Sequence, residues 1–242
     1  QPLFTESATD RELQAVDSEH SKNQQSDHWR WDQLLKCDAN PKHPFCHFGT
    51  GNIETLKTIP ERDGHPVRDR LLEFHGRYYS SNLMCLAVLG KESFEELEGL
   101  VRELFGPVVN KNVAMPSDEE LGGGEPTFLC EGWPRLVRVI PVCDVRCVTL
   151  QFVLPQQLPA RWRTKPTRYL MFLLGHEGKG SLLSALKSKG LATELMAGPS
   201  HDEAGFCLYE VCVHLTEKGE AELRSVGEHV FTYIRLLQTL PV

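Results

Sequence analysis

Two acids, Glu12 and Glu19, have the residue type and the spacing to do chemistry. They lie in Arg11-Glu12-Leu13-Gln14-Ala15-Val16-Asp17-Ser18-Glu19-His20, inside a polar segment without Pro or Gly over residues 3–39. Seven residues make just under two helical turns, so both carboxylates point to one face, with Ala15 and Val16 between them. Metal ligation and proton transfer are the chemistries open to such carboxylates. By periodicity alone the ordinary reading is a solvated surface helix with scattered acids. The element that must position them is one long helix, expected over residues 5–37.

Other clusters are weaker. His43 and His47 are four apart with Cys46 beside them, but Pro44 spoils the helical geometry a metal pair would need. Phe48-Gly49-Thr50-Gly51-Asn52 reads as a glycine turn. No Lys-Ser/Thr follows it and no strand precedes it, so a phosphate cradle is not indicated. Gly175-His176-Glu177-Gly178-Lys179-Gly180-Ser181 resembles a Walker A loop, yet it lacks the Lys before Ser. None of the ten histidines belongs to an H-x-x-E-H motif.

Hydrophobic periodicity predicts helices over 66–79 and 93–105, the second opened by a Ser93/Glu96 capping box. A continuous apolar run over 82–89 reads as a buried central strand. The acidic, Gly-rich stretch 119–133 reads as a flexible connection between domains 1–118 and 134–242. Beyond it, strands are expected over 136–140, 147–154, 191–197 and 206–215. Helices are expected over 167–174 and 182–189, with a final one capped by Thr216 and reaching about residue 237.

The chain has 242 residues, 40% of them hydrophobic, enough for one or two domains with real cores. Its net charge of −7 comes from interspersed acids and bases, with no nucleic-acid footprint. No apolar run reaches the roughly 18 residues of a membrane span. Eight cysteines without a C-x-x-C pair read as buried, reduced thiols. That points to a reducing, cytoplasmic compartment.

The wording around Glu12 and Glu19 resembles the distal zinc-ligand helix of the pitrilysin/insulinase (M16) family of inverzincin metallopeptidases. So do F-G-T-G-N-I-E-T-L, Y-Y-S-S-N-L-M and G-H-E-G-K-G-S-L, in family order along essentially the whole chain. The resemblance implies an α+β fold: a two-layer mixed sheet with helices on one face, as parts of two homologous peptidase domains. It implies Zn2+ as cofactor, with Glu19 as the third protein ligand and Glu12 beside the metal in support of catalysis. The other two ligands would be the histidines of H-x-x-E-H, so the chain is expected to be an internal piece of a larger protease.

In the second domain the resemblance implies an exosite that pairs a peptide N-terminus with a sheet edge. Position by position it would involve Arg168, Met171, Phe172, Gly175, Glu177, Leu195, Met196 and Ala197. The family's insulin-degrading members carry His, Gly, His and Gly where this chain has Arg168, Met171, Phe172 and Ala197. Bulkier side chains there should narrow or re-aim the groove. The expected partners are peptide substrates and the remaining N- and C-terminal parts of the protease, with homo-oligomerisation open. The expected function is part of a zinc metalloendopeptidase, inactive as this chain alone. The competing expectations are a non-catalytic peptide-binding module and a structural domain of the same fold.

Overall fold

Asn23, Gln24, Gln25 and Ser26 divide the long polar segment into two helices, α1 (Glu6–Asn23) and α2 (Asp27–Cys37). The expected single helix is therefore corrected. Lack of Pro and Gly does not suffice when Asn and Ser, whose side chains compete for backbone groups, fall together. The Ser26 carbonyl restarts the ladder by accepting from Arg30 N. The computed structural model describes residues 3–117, 120, 124–129, 131, 134–154, 161, 163–203 and 206–239.

The chain forms two compact units. One comprises Gln1–Gln33 with Phe48–Ser117, the other Leu34–His47 with Asp118–Val242. In the first unit, α1 is followed by a wide turn over Glu54–Thr58, then α3 (Ile59–Arg62), α4 (Val67–Tyr78) and α5 (Phe94–Phe105). The capping box of α5 is present in both directions. Glu96 N donates to Ser93 Oγ at 3.3 Å, and Ser93 N donates to Glu96 Oε2 at 2.9 Å.

The expected buried strand over 82–89 is not formed. Residues 81–83 make a short 3-10 turn, held where Ser81 N donates to Val109 O and Asn82 Nδ2 to Val113 O. After it residues 84–90 belong to no helix or strand, and Met84, Leu86, Val88 and Leu89 are exposed. A strand needs a neighbour for its ladder, and none pairs with this run among the described residues. Residues 136–140 are corrected in the same way: Leu136, Val137, Val139 and Ile140 are exposed and outside any sheet.

The second unit is built on three antiparallel strands in the order β1-β3-β2. They are β1 (Cys147–Leu154), β2 (Ala192–Asp202) and β3 (Cys207–Leu215). The class is α+β, as expected, and every strand pair among the described residues is antiparallel. Helices α6 (Pro166–Leu174), α7 (Leu182–Ser188), α8 (Glu217–Ala221) and α9 (Leu223–Thr239) complete the unit. The Thr216 cap is as expected: its Oγ1 accepts from Gly219 N at 3.0 Å. The final helix is interrupted at Glu222, dividing α8 from α9.

Alternation along the strands makes one sheet face apolar. Val211, Val213 and Leu195 on that face pack with Leu182, Leu183, Leu186, Val226 and Val230 from the helices. A second cluster joins Leu35 and Ala39 to Phe128, Phe206 and Leu208. It ties residues 34–47 to this unit. Within the 119–133 stretch only residues 120, 124–129 and 131 are described; of these, Thr127 and Phe128 are buried.

His43 pins this segment. Phe45 N donates to His43 Nδ1 at 3.1 Å, so the neutral ring carries its proton on Nε2, 3.3 Å from Thr127 Oγ1. The residue is a buried structural histidine, and burial lowers its pKa below the ordinary 6.5. The folded state thus prefers the neutral ring, while the unfolded chain takes up a proton. The stabilisation is present above pH 6.5 and is lost as pH falls from there toward the lower folded-state value. Denaturant melts should lose stability in that window, and His43→Gln should flatten that part of the profile.

Candidate functional site

Helix α1 is held by one face only. Thr5 caps it, accepting from Ala8 N at 3.3 Å. Leu13 is buried, and Asp17 Oδ1 accepts from Ile53 N at 2.8 Å. The His20 ring meets Phe48 edge-on at 5.3 Å, and Asp10 pairs with Lys57 at 2.9 Å. Residues 10, 13, 17 and 20 follow the helical repeat, so they form one row. The glycine turn supplies the other half of this anchor. Asn52 and Thr55 cap each other, with Thr55 N donating to Asn52 Oδ1 at 2.8 Å, and Ile53 N is left for Asp17. The spacing of Glu12 and Glu19 does not single out Asp17. Its signal in the sequence is the row Asp10, Leu13, Asp17, His20.

Glu12, Ala15 and Glu19 are all exposed. At 100° per residue their row lies roughly 130° around the helix from the anchored row. The acids therefore sit on a supported helix whose free side carries them outward. No group of three His, Cys, Asp or Glu side chains suited to a metal exists among the described residues. A tetrahedral zinc site needs three or four protein ligands. Glu19 fits as a single carboxylate ligand, but this chain's donor set does not complete a zinc site. His43, Cys46 and His47 do not help: His43 is committed to Phe45 and Thr127, and Cys46 Sγ donates to Pro41 O at 3.5 Å.

The second candidate region lies in the other unit. Among the described residues β2 is an edge strand, and its register with β3 is regular between irregularities at 192/194 and 199/201. α6 packs against it. A side chain at Gly175 would crowd α6's own Met171 O at 2.8 Å, and it would stand in ordinary contact, 3.8 Å, with Ala197 N of β2. Met171 lies over Gly198, with its Cγ and Sδ each 3.5 Å from where a Cβ would stand. Phe172 is exposed, its ring 5.7 Å from that of His176. Arg168, Glu177 and Met196 are exposed too, while Leu195 is buried in the core. Leu195 can therefore offer a ligand only its backbone. The structure places Met171, Gly175 and Ala197 together at one strand edge; it places Glu12 and Glu19 in the other unit.

Residues 66–242 match the family model described as Peptidase M16 inactive domain. The chain is 46% identical to insulin-degrading enzyme of Homo sapiens and 43% identical to that of Drosophila melanogaster. Each match covers 98% of this chain and 23% of the relative. It is 41% identical to the A-factor-processing enzyme of Saccharomyces cerevisiae, again over 98% of this chain and 22% of the relative. The crystal structure of pitrilysin superposes with a TM-score of 0.81 at 25% identity, covering 100% of this chain and 25% of that one. The chain spans about a quarter of each of these proteins, and it belongs to the M16 peptidase family.

Proposed function

We propose that this chain is the part of a zinc-dependent metalloendopeptidase that contributes one zinc ligand and a peptide-anchoring strand edge. The observation that carries the reading is the outward row of Glu12 and Glu19 on a helix held firmly from its far side. Zinc, when held by Glu19 with two histidines from elsewhere in the protease, supplies Lewis-acid polarisation of the scissile carbonyl. Glu19 presents its carboxylate from a helix whose backbone is anchored through Leu13, Asp17 and His20. Glu12, just under two turns away on the same face, adds negative potential beside it and orients neighbouring groups. Peptides are the substrate class, a reading supported by the relatives that are insulin-degrading enzymes. A zinc role is further supported by a Schizosaccharomyces pombe relative named a putative zinc protease, 41% identical over 98% of this chain.

Because one carboxylate is too few, the isolated 242-residue chain should hold no stoichiometric zinc and cleave no peptide. Elemental analysis after dialysis against zinc checks this. One tightly bound zinc per chain would overturn the assignment of Glu19 as a lone ligand. A second reading is a non-catalytic peptide-binding module. It is favoured by the family model's own description of residues 66–242 as an inactive domain.

A further inference from the structure

The two faces of the three-stranded sheet differ in chemistry. Beyond the row of Val153, Leu208 and His201, the face away from the main core carries three more cross-strand rows, set by the register. Cys147, His214 and Glu194 form the first, Thr149, Cys212 and Met196 the second, and Gln151, Glu210 and Gly198 the third. Cys147 and Cys212 are therefore diagonal neighbours on one face of adjacent strands. Both are thiols, Cys147 exposed and Cys212 half-buried. Cys212 lies directly across the strand pair from Thr149, and Cys147 is two residues before Thr149 on the same face of β1. No third donor converges with them as a metal would require among the described residues.

We propose that Cys147 and Cys212 are a dithiol modification site that closes to a disulfide between β1 and β3 on reaction with hydrogen peroxide. Exposure decides the order of events. The Cys147 thiolate attacks one peroxide oxygen, the O–O bond breaks, and the departing hydroxide is protonated to water. Cys147 is left as a sulfenic acid. Cys212 is half-buried and burial raises its thiol's pKa, so the exposed Cys147 meets the oxidant first. Cys212 then attacks the adjacent Cys147 sulfur. The new S–S bond forms, the S–O bond breaks, and the hydroxyl leaves with the Cys212 proton as a second water. The two sulfurs lose two electrons and the peroxide gains them. A thiol reductant reverses the change.

The test uses the whole chain without zinc, so its result is independent of the protease reading. The protein is exposed to dilute hydrogen peroxide, remaining thiols are alkylated, and the unreduced digest is mapped by mass spectrometry. The expected result is a Cys147–Cys212 peptide pair lighter by two hydrogens, with alkylation of both residues lost in step and restored by dithiothreitol. In Cys212→Ser, Cys147 should instead accumulate as a sulfenic acid trapped by dimedone. In Cys147→Ser, Cys212 should remain alkylatable. The unmodified chain alone decides the question if either variant folds poorly. Cys147 advancing to sulfinic or sulfonic acid while Cys212 stays alkylatable would overturn the proposal. So would preferential cross-linking of either residue to another cysteine, or oxidation elsewhere with both left free.

Discussion

In a full-length protease that carries this chain together with an H-x-x-E-H segment, Glu19→Gln should abolish zinc retention and peptide hydrolysis together. The amide keeps the size and the helix but removes the negative charge that holds a divalent cation. α1 is anchored through Asp17, His20 and Leu13 on its other side, so the substitution should leave the fold unchanged. Glu12→Gln should behave differently. It lies on the same outward row, one pair of turns earlier, and under the proposed function it would act on the metal through neighbouring groups. Changes of that kind typically cost ~10–100-fold in metal affinity or activity. Zinc content by elemental analysis and turnover of a fluorogenic peptide, measured on both variants, separate the roles. Equal zinc loss in the two would contradict the division, and full activity in Glu19→Gln would reduce α1 to a solvated surface helix.

The parts of the fold legible in the sequence are those whose determinants are local. Ser93 and Glu96 lie three apart and cap each other, so α5 begins where the pattern placed it. β1 is bounded as expected because Cys147–Leu154 alternates on a sheet that supplies its partner, β3. The run at 82–89 has an equally strong strand composition and fails, because strand formation is decided by a neighbouring chain rather than by the run itself. The thiols follow from this: Cys85, on that unpaired run, is exposed, whereas Cys207 at the start of β3 is buried. Cys130 lies outside the described residues. Spacing put Glu12 and Glu19 on one face correctly, but the break at residues 24–26 and the Asp17 anchor depend on backbone competition and on a distant loop. The strand-edge region was legible only through resemblance. No periodicity marks Met171, Gly175 and Ala197 as neighbours; the packing of α6 against β2 brings them together.

A free peptide amine should bind the β2 edge more tightly than its acetylated twin, and the difference should depend on Glu177. The regular stretch of β2 between its two irregularities offers backbone groups to an added strand, a common mode of peptide capture. Glu177 stands exposed just past Gly175, where α6 meets Ala197. A charged α-amino group bonded to that carboxylate contributes about 1.5–3 kcal/mol, or roughly ten- to a hundredfold in affinity. Acetylation removes the charge, and Glu177→Gln removes the acceptor's charge, so the variant should bind both peptides alike. Titration by calorimetry or fluorescence, with both peptides against both proteins, gives the full cycle. Met171 lies over Gly198 and Phe172 flanks His176, so the approach to the strand is narrower than one lined by small residues. Met171→Gly should widen it and tighten binding of the free-amine peptide. Equal affinities for the two peptides in the unmodified chain would mean that these bulkier side chains have closed the edge, leaving β2 and α6 as scaffold.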